Sequence, residues 1–479
     1  MLMKLNKKTK KFVKNFTYTF SSNTISMLLG MVITLIVPKV TTVTSYGWFQ
    51  LFIFYTSYIG IFHFGFCDGV YLREGGSEYD KLNKNLYHYE FWILLILQSI
   101  IAVFLCFGSS ILMVEDERKF VIYTTSISLV ISNTSIMLSY IMQATGRIKE
   151  YSRRTLTQKI PYVLLVILCM AIRISDFKWY IVANVIGLAS TWVYGVIQCK
   201  DIVFAKTAKI PIKSIVHEMS ENVSMGIKLM LANFSGLFIL GIVRFGIESE
   251  WSIETFGKIS FTLSVSNLLM LFVNAVAVIM FPTLRRMGDE KKKQVYLIMR
   301  DILMVFLLAM RIAYYPVRAV LELWLPQYTE SLEYMAILFP LCIFSSKMSM
   351  LITPYLNTLR LEKYLLYINV IIVIASFICT IFSVKICKSL VLSVFVILFL
   401  IIFRCVLGEI RLAKELEIEV VQNIVLEIFM TIVFVISSWY ISGDLGMLLY
   451  FVAYLGYLII KRKDIKQTLV EVKKLTKAS

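Results

Sequence analysis

Charge is scarce in this sequence: 17% of its 479 residues are Asp, Glu, Lys or Arg, against about a quarter in an ordinary soluble domain. Histidine is scarcer still; the three present, His63, His88 and His217, are too dispersed for a metal site. The eight cysteines form no CxxC pair and no Cys/His cluster, which argues against zinc and redox chemistry, and each reads as a small buried hydrophobe. Only 8 prolines and 21 glycines are present, too few for long disordered linkers. Large polar segments between the apolar runs are missing too, and with them the room for a catalytic domain outside a membrane. No small-residue cleavage site follows the basic start MLMKLNKKTKKFVKNF, so the first helix is expected to be retained. No catalytic residue, metal or cofactor is expected.

What is abundant is apolar: 58% of residues are hydrophobic and the mean hydropathy is +0.76. Runs of about 20 apolar residues recur along the whole chain, the length needed to cross a bilayer. They predict an all-α membrane protein with about fourteen spans, near 16–37, 47–67, 90–113, 120–143, 158–174, 178–198, 224–246, 256–281, 295–316, 332–355, 364–384, 389–408, 420–441 and 444–461. The net charge of +18 would suggest nucleic acid on a soluble protein. Here the basic residues fall in alternate loops, such as TGRIKEYSRRTLTQK and PTLRRMGDEKKK, and the loops between read VEDERK, IESEWSIETFG and SGDLG. That is the cytoplasmic enrichment of Lys and Arg in a multi-pass protein, with both termini inside and no nucleic-acid partner. Trp48, Trp92, Trp179, Trp251, Trp324 and Trp439 fall near predicted span ends, as interfacial tryptophans do.

A faint internal repeat is visible. Thr145, Arg147 and Tyr151 after the fourth span recur as Thr358, Arg360 and Tyr364 after the tenth, at one constant offset. Asn23 in the first span has a counterpart in Asn233 of the seventh. A unit of six spans has an even number of crossings, so the copies share one orientation. The expected organisation is a six-helix lobe over 1–198, a cytoplasmic linker over 199–223, a second six-helix lobe over 224–411, and two additional helices with a basic tail over 412–479.

Polar groups inside spans mark a path, because a central Arg or Lys costs about 2.5–3.5 kcal/mol on insertion scales unless it faces water or an anion. In the seventh span Asn233, Gly236, Leu240 and Arg244 recur every three to four residues and share a face, with Lys228 near one end of that helix. Arg311 lies deep in the ninth span. With Arg73 and Asn23 these make the headgroup candidates: Arg244, Arg311, Arg73, Asn233, Asn23 and Lys228. His63 and Asp68 are the candidates for proton or ion coupling. Each has a plainer reading: Arg244 and Lys228 as snorkelling side chains, His63 as a hydrogen-bonded structural residue, Lys347 and Arg404 as partners of glutamates or of headgroups, and Glu427 as a helix contact. The stretch IFHFGFCDGVYLREGG, residues 61–76, breaks an apolar helix into glycine and charge. It reads either as a polar mouth where glycines let a headgroup approach, or as an ordinary helix–loop transition.

These residues also carry a resemblance. SYGWFQLFIFYTSYIGIFHFGFCDGVYLREGG resembles the second-helix signature of polysaccharide-biosynthesis flippases. QATGRIKEYS resembles the loop after their fourth helix, FPTLRRM the exit of their eighth, and LPQYTESLEYMAILFPLCIFSSKMSMLITPYLNTLRLEKY their tenth helix with its flanking loops. The order of the motifs follows that family, the Wzx-type branch of the multidrug/oligosaccharidyl-lipid/polysaccharide (MOP) exporter superfamily, over nearly the whole chain. The resemblance implies two parallel six-helix lobes in a V and alternating access through a cationic central cavity. It implies an undecaprenyl-diphosphate-linked oligosaccharide as substrate, flipped across the bacterial cytoplasmic membrane for capsule, O-antigen or exopolysaccharide synthesis. A coupling ion (H+ or Na+) and the polymerase and glycosyltransferases of the same pathway are implied partners. Arg73 matches the arginine at the second-helix exit, and Arg147 and Arg360 match basic positions of the inner-gate loops. The first helix offers Asn23 but no carboxylate, unlike the drug exporters of that superfamily. The alternatives are an ion-coupled small-molecule antiporter and a membrane enzyme of the same glycan pathway; short external loops argue against the enzyme.

Overall fold

The computed structural model describes residues 7–206, 210–285, 289–441 and 443–477, and among them every regular element is helical. The end of the FPTLRRM motif, residues 286–287, lies outside the described residues. Eleven described helices are long and apolar enough to cross a membrane, and a bent pair makes a twelfth. The other two predicted spans also fall on helices, so each of the fourteen finds its helix or helix series. Two compact units divide between Phe234 and Ser235.

The first unit holds α1 (Lys7–Val40), α2 (Val43–Thr56), α3 (Phe66–Arg73), α4 (Lys84–Ile111), α5 (Asp116–Ala144), α6 (Ile148–Ala171), α7 (Phe177–Gln198) and the short α8 (Lys200–Val203). The division falls within α9 (Ile212–Glu250). α5 is the central helix, packed on α2, α3, α4, α6 and α7. Its sequence is rich in Ser and Thr, yet it sits in the core because Thr124, Ser126, Ser128 and Thr134 return their hydroxyls to carbonyls one turn back. Residues 199–203, expected as part of a linker, dock under α4: Trp92 Nε1 donates to Val203 O at 3.1 Å. Trp48 is not an interfacial anchor; it is buried, stacked on Phe177 and capped by the Arg118 guanidinium 5.7 Å from its ring.

The second unit holds α10 (Ile253–Arg285), α11 (Asp289–Met310), α12 (Tyr314–Trp324), α13 (Thr329–Leu338), α14 (Leu341–Lys347), α15 (Thr353–Thr358), α16 (Glu362–Thr380), α17 (Leu390–Leu416), α18 (Val421–Ile436), α19 (Gly443–Ile460) and the basic α20 (Arg462–Lys477). The tenth predicted span is the series α13–α15, broken at Pro340 and widened by a π-turn over Met348–Ile352. The segment between the ninth and tenth predicted spans is not a loop but the amphipathic α12, with Val320, Leu323 and Trp324 exposed. All eight cysteines are free; five are buried as expected, but Cys106 and Cys379 are half-buried and Cys387 is exposed.

α18 and α19 are bonded into this unit. Tyr315 Oη bonds Ser437 Oγ and donates to Gly446 O, both at 2.9 Å; Tyr450 Oη donates to Leu308 O at 2.9 Å.

The two loops of the repeat end their helices alike. After α5, Arg147 N donates to Met142 O with Gly146 at φ 73°; after α15, Leu361 N donates to Leu356 O with Arg360 at φ 58°. Both are left-handed C-caps of one kind. The cap geometry pairs Arg360 with Gly146, so the sequence match of Arg147 to Arg360 is one residue out of register.

Candidate functional site

The glycine-and-charge stretch is a broken helix. Val43–His63 and Phe66–Arg73 meet at a 61° bend, because Phe64 (φ 51°) and Gly65 (φ 80°) both turn left-handed. A break within a membrane span frees carbonyls that lipid cannot satisfy. Here Asn133 Nδ2 donates to Ile59 O at 3.0 Å and Gln98 Nε2 to Phe62 O at 2.9 Å, while Asn133 also bonds Gln98 Oε1 at 2.7 Å. Two buried amides from α4 and α5 thus hold the bend open.

Two of the four glycines, Gly65 and Gly69, serve a helix contact, whereas a Cβ on Gly76 would meet nothing within 4 Å. A Cβ on Gly69 would fall 1.8 Å from Asn222 O of α9. One on Gly226 would fall 2.0 Å from Gly65 O. α3 and α9 therefore touch backbone to backbone.

The bend brings together the two coupling candidates. His63 Nε2 lies 3.7 Å from Asp68 Oδ2, and both side chains are buried. Gly65 N donates to His63 Nδ1 at 3.1 Å. Nδ1 is thereby the acceptor, so a neutral imidazole carries its proton on Nε2, facing the carboxylate.

Beyond α3 lies a second polar cluster, which the sequence reading did not single out. Arg73 is ion-paired with Glu218 of α9 and is thus not an open cation. Tyr87 Oη donates to Glu74 Oε1 at 2.5 Å. Glu90 of α4 is fully buried and accepts from Asn222 Nδ2 at 3.1 Å. Glu90 was hidden in sequence by its place at the polar start of a span, where a glutamate passes for a surface residue.

The second unit offers a pocket of about 250 Å³ lined by Phe344, Ser345, Met348, Ser349, Thr353, Ile401 and Arg404. Ser345, Ser349 and Thr353 come one per turn from α14, the π-turn and α15, and Arg404 of α17 lines the same pocket. Arg404 Nε donates to Asn369 Oδ1 at 2.9 Å, which fixes the plane of the guanidinium. Gly236 leaves it room: a Cβ there would stand 3.5 Å from Arg404 Nη2. The predicted seventh-span face thus meets a cation on α17. A planar fork beside three hydroxyls is suited to an oxyanion.

Two other buried charges are internal to the same unit. Lys347 Nζ lies 2.5 Å from Glu409 and 2.6 Å from Glu427, and Arg300 lies 2.7 and 2.8 Å from the same two residues. All four are almost completely enclosed, and two cations balance two carboxylates. Lys347 so takes the ion-pair reading, and Glu427, read as a helix contact, is one of its two carboxylate partners, with Arg300 and Glu409 added. Arg311 is enclosed as well; Nη2 donates to Thr431 Oγ1 at 2.8 Å and the guanidinium lies 5.4 Å over Phe434.

The remaining candidates are scattered. Arg244 Nη2 donates to Ser260 Oγ at 2.9 Å and its guanidinium lies 5.3 Å over Phe256. Asn23, Lys228 and Asn233 are exposed. Arg147 is held by Gln198 O at 3.0 Å and lies 4.3 Å over Tyr79, while Arg360 is exposed at its cap. Among the described residues no group of three or more His, Cys, Asp or Glu could hold a metal ion.

No family model and no curated protein matches this chain. Solved structures do match. The lipid II flippase MurJ in an inward closed conformation is similar with a TM-score of 0.63 at 13% identity, covering 95% of this chain and 100% of that one. An inward-facing multidrug resistance MATE family transporter of the MOP superfamily is similar with a TM-score of 0.57 at 12% identity, covering 82% of this chain and 99% of that one. At such identities the likeness is one of fold, and the chain is an all-α, multi-pass membrane protein with the fold of these transporters.

Proposed function

We propose that this protein is a flippase that carries polyprenyl-diphosphate-linked oligosaccharide repeat units across the bacterial cytoplasmic membrane for surface polysaccharide synthesis. The observation that carries this reading is the match in fold to a lipid flippase along 95% of the chain. The substrate class comes from the order of the sequence motifs. The pocket at Arg404 supports it chemically: a diphosphate cannot cross hydrocarbon unpaired, and a guanidinium with hydroxyls replaces its water. The His63–Asp68 pair, two titratable groups facing each other in a bent span, supports coupling to a proton. The lobes of the sequence reading, both termini in the cytoplasm and alternating access complete the proposal.

The second reading, an ion-coupled small-molecule antiporter, is favoured by the likeness to the MATE transporter. Against it stands α1, which carries no carboxylate. Reconstitution decides between them. Liposomes carrying an undecaprenyl-diphosphate oligosaccharide in one leaflet are followed for glycan accessibility from the other. Transport by the wild type, lost in Arg404→Ala, is expected. No movement by correctly folded wild type would sink the flippase reading.

A further inference from the structure

Glu90 and Asn222 are both fully buried and face each other from α4 and α9. Asn222 Nδ2 donates to Glu90 Oε1, yet neither Glu90 Oε2 nor Asn222 Oδ1 has a hydrogen-bond partner among the described residues. Both orphans are acceptors. With Glu90 ionised, no hydrogen exists for either, and a buried charge is left half-solvated by one amide.

We propose that Glu90 and Asn222 form a proton-binding site, occupied in this conformation, in which the neutral acid and the amide bond reciprocally. The Oε2 oxygen takes one proton from water, and the carboxylate charge is discharged. The new O–H then has Asn222 Oδ1 as its acceptor. One proton removes two buried orphans and one buried charge together.

The surroundings favour the neutral acid. Arg73 on α3 is engaged by Glu218 of α9, and Glu74 accepts from Tyr87, which precedes Glu90 by one turn of α4. Cys67 and Asp68 stand on the α3 side. The cluster therefore holds one strong cation against the carboxylates of Glu74, Glu90 and Glu218. The geometry also ties the proton to α9, since the backbone of Asn222 itself rests on Gly69. Loss of the proton would set a bare carboxylate against Glu218 across the seat of α9.

This site does not depend on the transported substrate, so it is tested without transport. Infrared spectra of the full chain in nanodiscs are taken across neutral to alkaline pH, in H2O and D2O. We expect a protonated-carboxyl C=O band at neutral pH that shifts in D2O and is absent from Glu90→Gln. Glu90→Gln should keep the wild-type thermal midpoint at neutral pH and lose its alkaline fall. Asn222→Ala should keep the band but shift its frequency, which serves if Glu90→Gln fails to fold. A wild type without the band, or a band unchanged in both variants, overturns the proposal. A thermal midpoint raised by sodium over choline chloride in the wild type alone, with no band, would assign the two orphan oxygens to Na+ instead.

Discussion

Gly226 of α9 lies so close to Gly69 of α3 that a Cβ on Gly226 would fall 2.2 Å from the Gly69 nitrogen. The colliding atoms are backbone, so no side chain can swing aside. Gly226→Ala should cost at least the ~1–3 kcal/mol of core overpacking, read as a lowered thermal midpoint in detergent. Gly30→Ala is the control, since a Cβ there meets nothing within 4 Å, and it should hold or raise the midpoint.

The charge quartet gives a sharper test, because its members stabilise only as a set. Lys347→Met leaves two carboxylates to one arginine and should cost about 3–5 kcal/mol, as breaking a buried pair does. Lys347→Met with Glu427→Gln keeps Arg300 opposite Glu409 and should recover more than half of that loss. Denaturation of both variants measures the difference; equal losses would mean that the charges do not act together.

The two C-caps predict effects of opposite sign. Gly146→Ala places a side chain at φ 73° and should destabilise by about 1 kcal/mol. Arg360→Gly relieves a side chain at φ 58° and should be neutral or stabilising by up to about 1 kcal/mol. If Arg360 gated transport, Arg360→Gly would slow it; with Arg360 serving as a cap, the rate is unchanged.

Transport itself should depend on Arg404. One charge-assisted contact is worth about 1.5–3 kcal/mol, so Arg404→Ala should slow glycan translocation about tenfold or more. Gly236→Leu should do the same by filling the space beside the guanidinium, with Arg404 intact. Arg244→Ala should act weakly, because Arg244 is tied to Ser260 and Phe256.

A contact outside the spans adds an acid limb to stability. Burial alone would raise the Asp201 carboxyl, but Lys84 at 2.5 Å and Tyr79 at 2.6 Å outweigh it and hold the group below its ordinary 3.8. A lowered folded value contributes stability above the unfolded value and loses it as pH falls through the folded one. Asp201→Asn should therefore cost under about 1 kcal/mol at neutral pH, given partial exposure, and flatten the loss of stability below pH 3.8. A pH series of thermal midpoints measures it.

Hydropathy made the spans legible, because crossing a bilayer constrains every residue of a helix. It could not show what the polar residues meet. His63 and Asp68 were legible as titratable groups in one short stretch, but it is the bend at Phe64 and Gly65 that sets them face to face. Arg300 and Glu409, or Glu90 and Asn222, lie more than 100 residues apart, and only tertiary packing pairs them. Gly65 and Gly69 announced a close approach without saying to what; the partner, Gly226, sits in an otherwise ordinary helix. The cap register was misread for a related reason. Matching letters aligned Arg147 with Arg360, whereas the backbone aligns the left-handed positions, and Arg360 stands where glycine is the easier choice.

The quartet also orders the making of the protein. Arg300 and Lys347 leave the ribosome before Glu409 and Glu427, so both cations enter the membrane before the two carboxylates they share. Each then carries a cost of about 2.5–3.5 kcal/mol on insertion scales until the later helices arrive. A chain halted after α17 still holds two cations against one carboxylate. The charge balance of this unit is therefore complete only once α18 brings Glu427, and a chain cut short of it keeps an unbalanced positive charge among its helices.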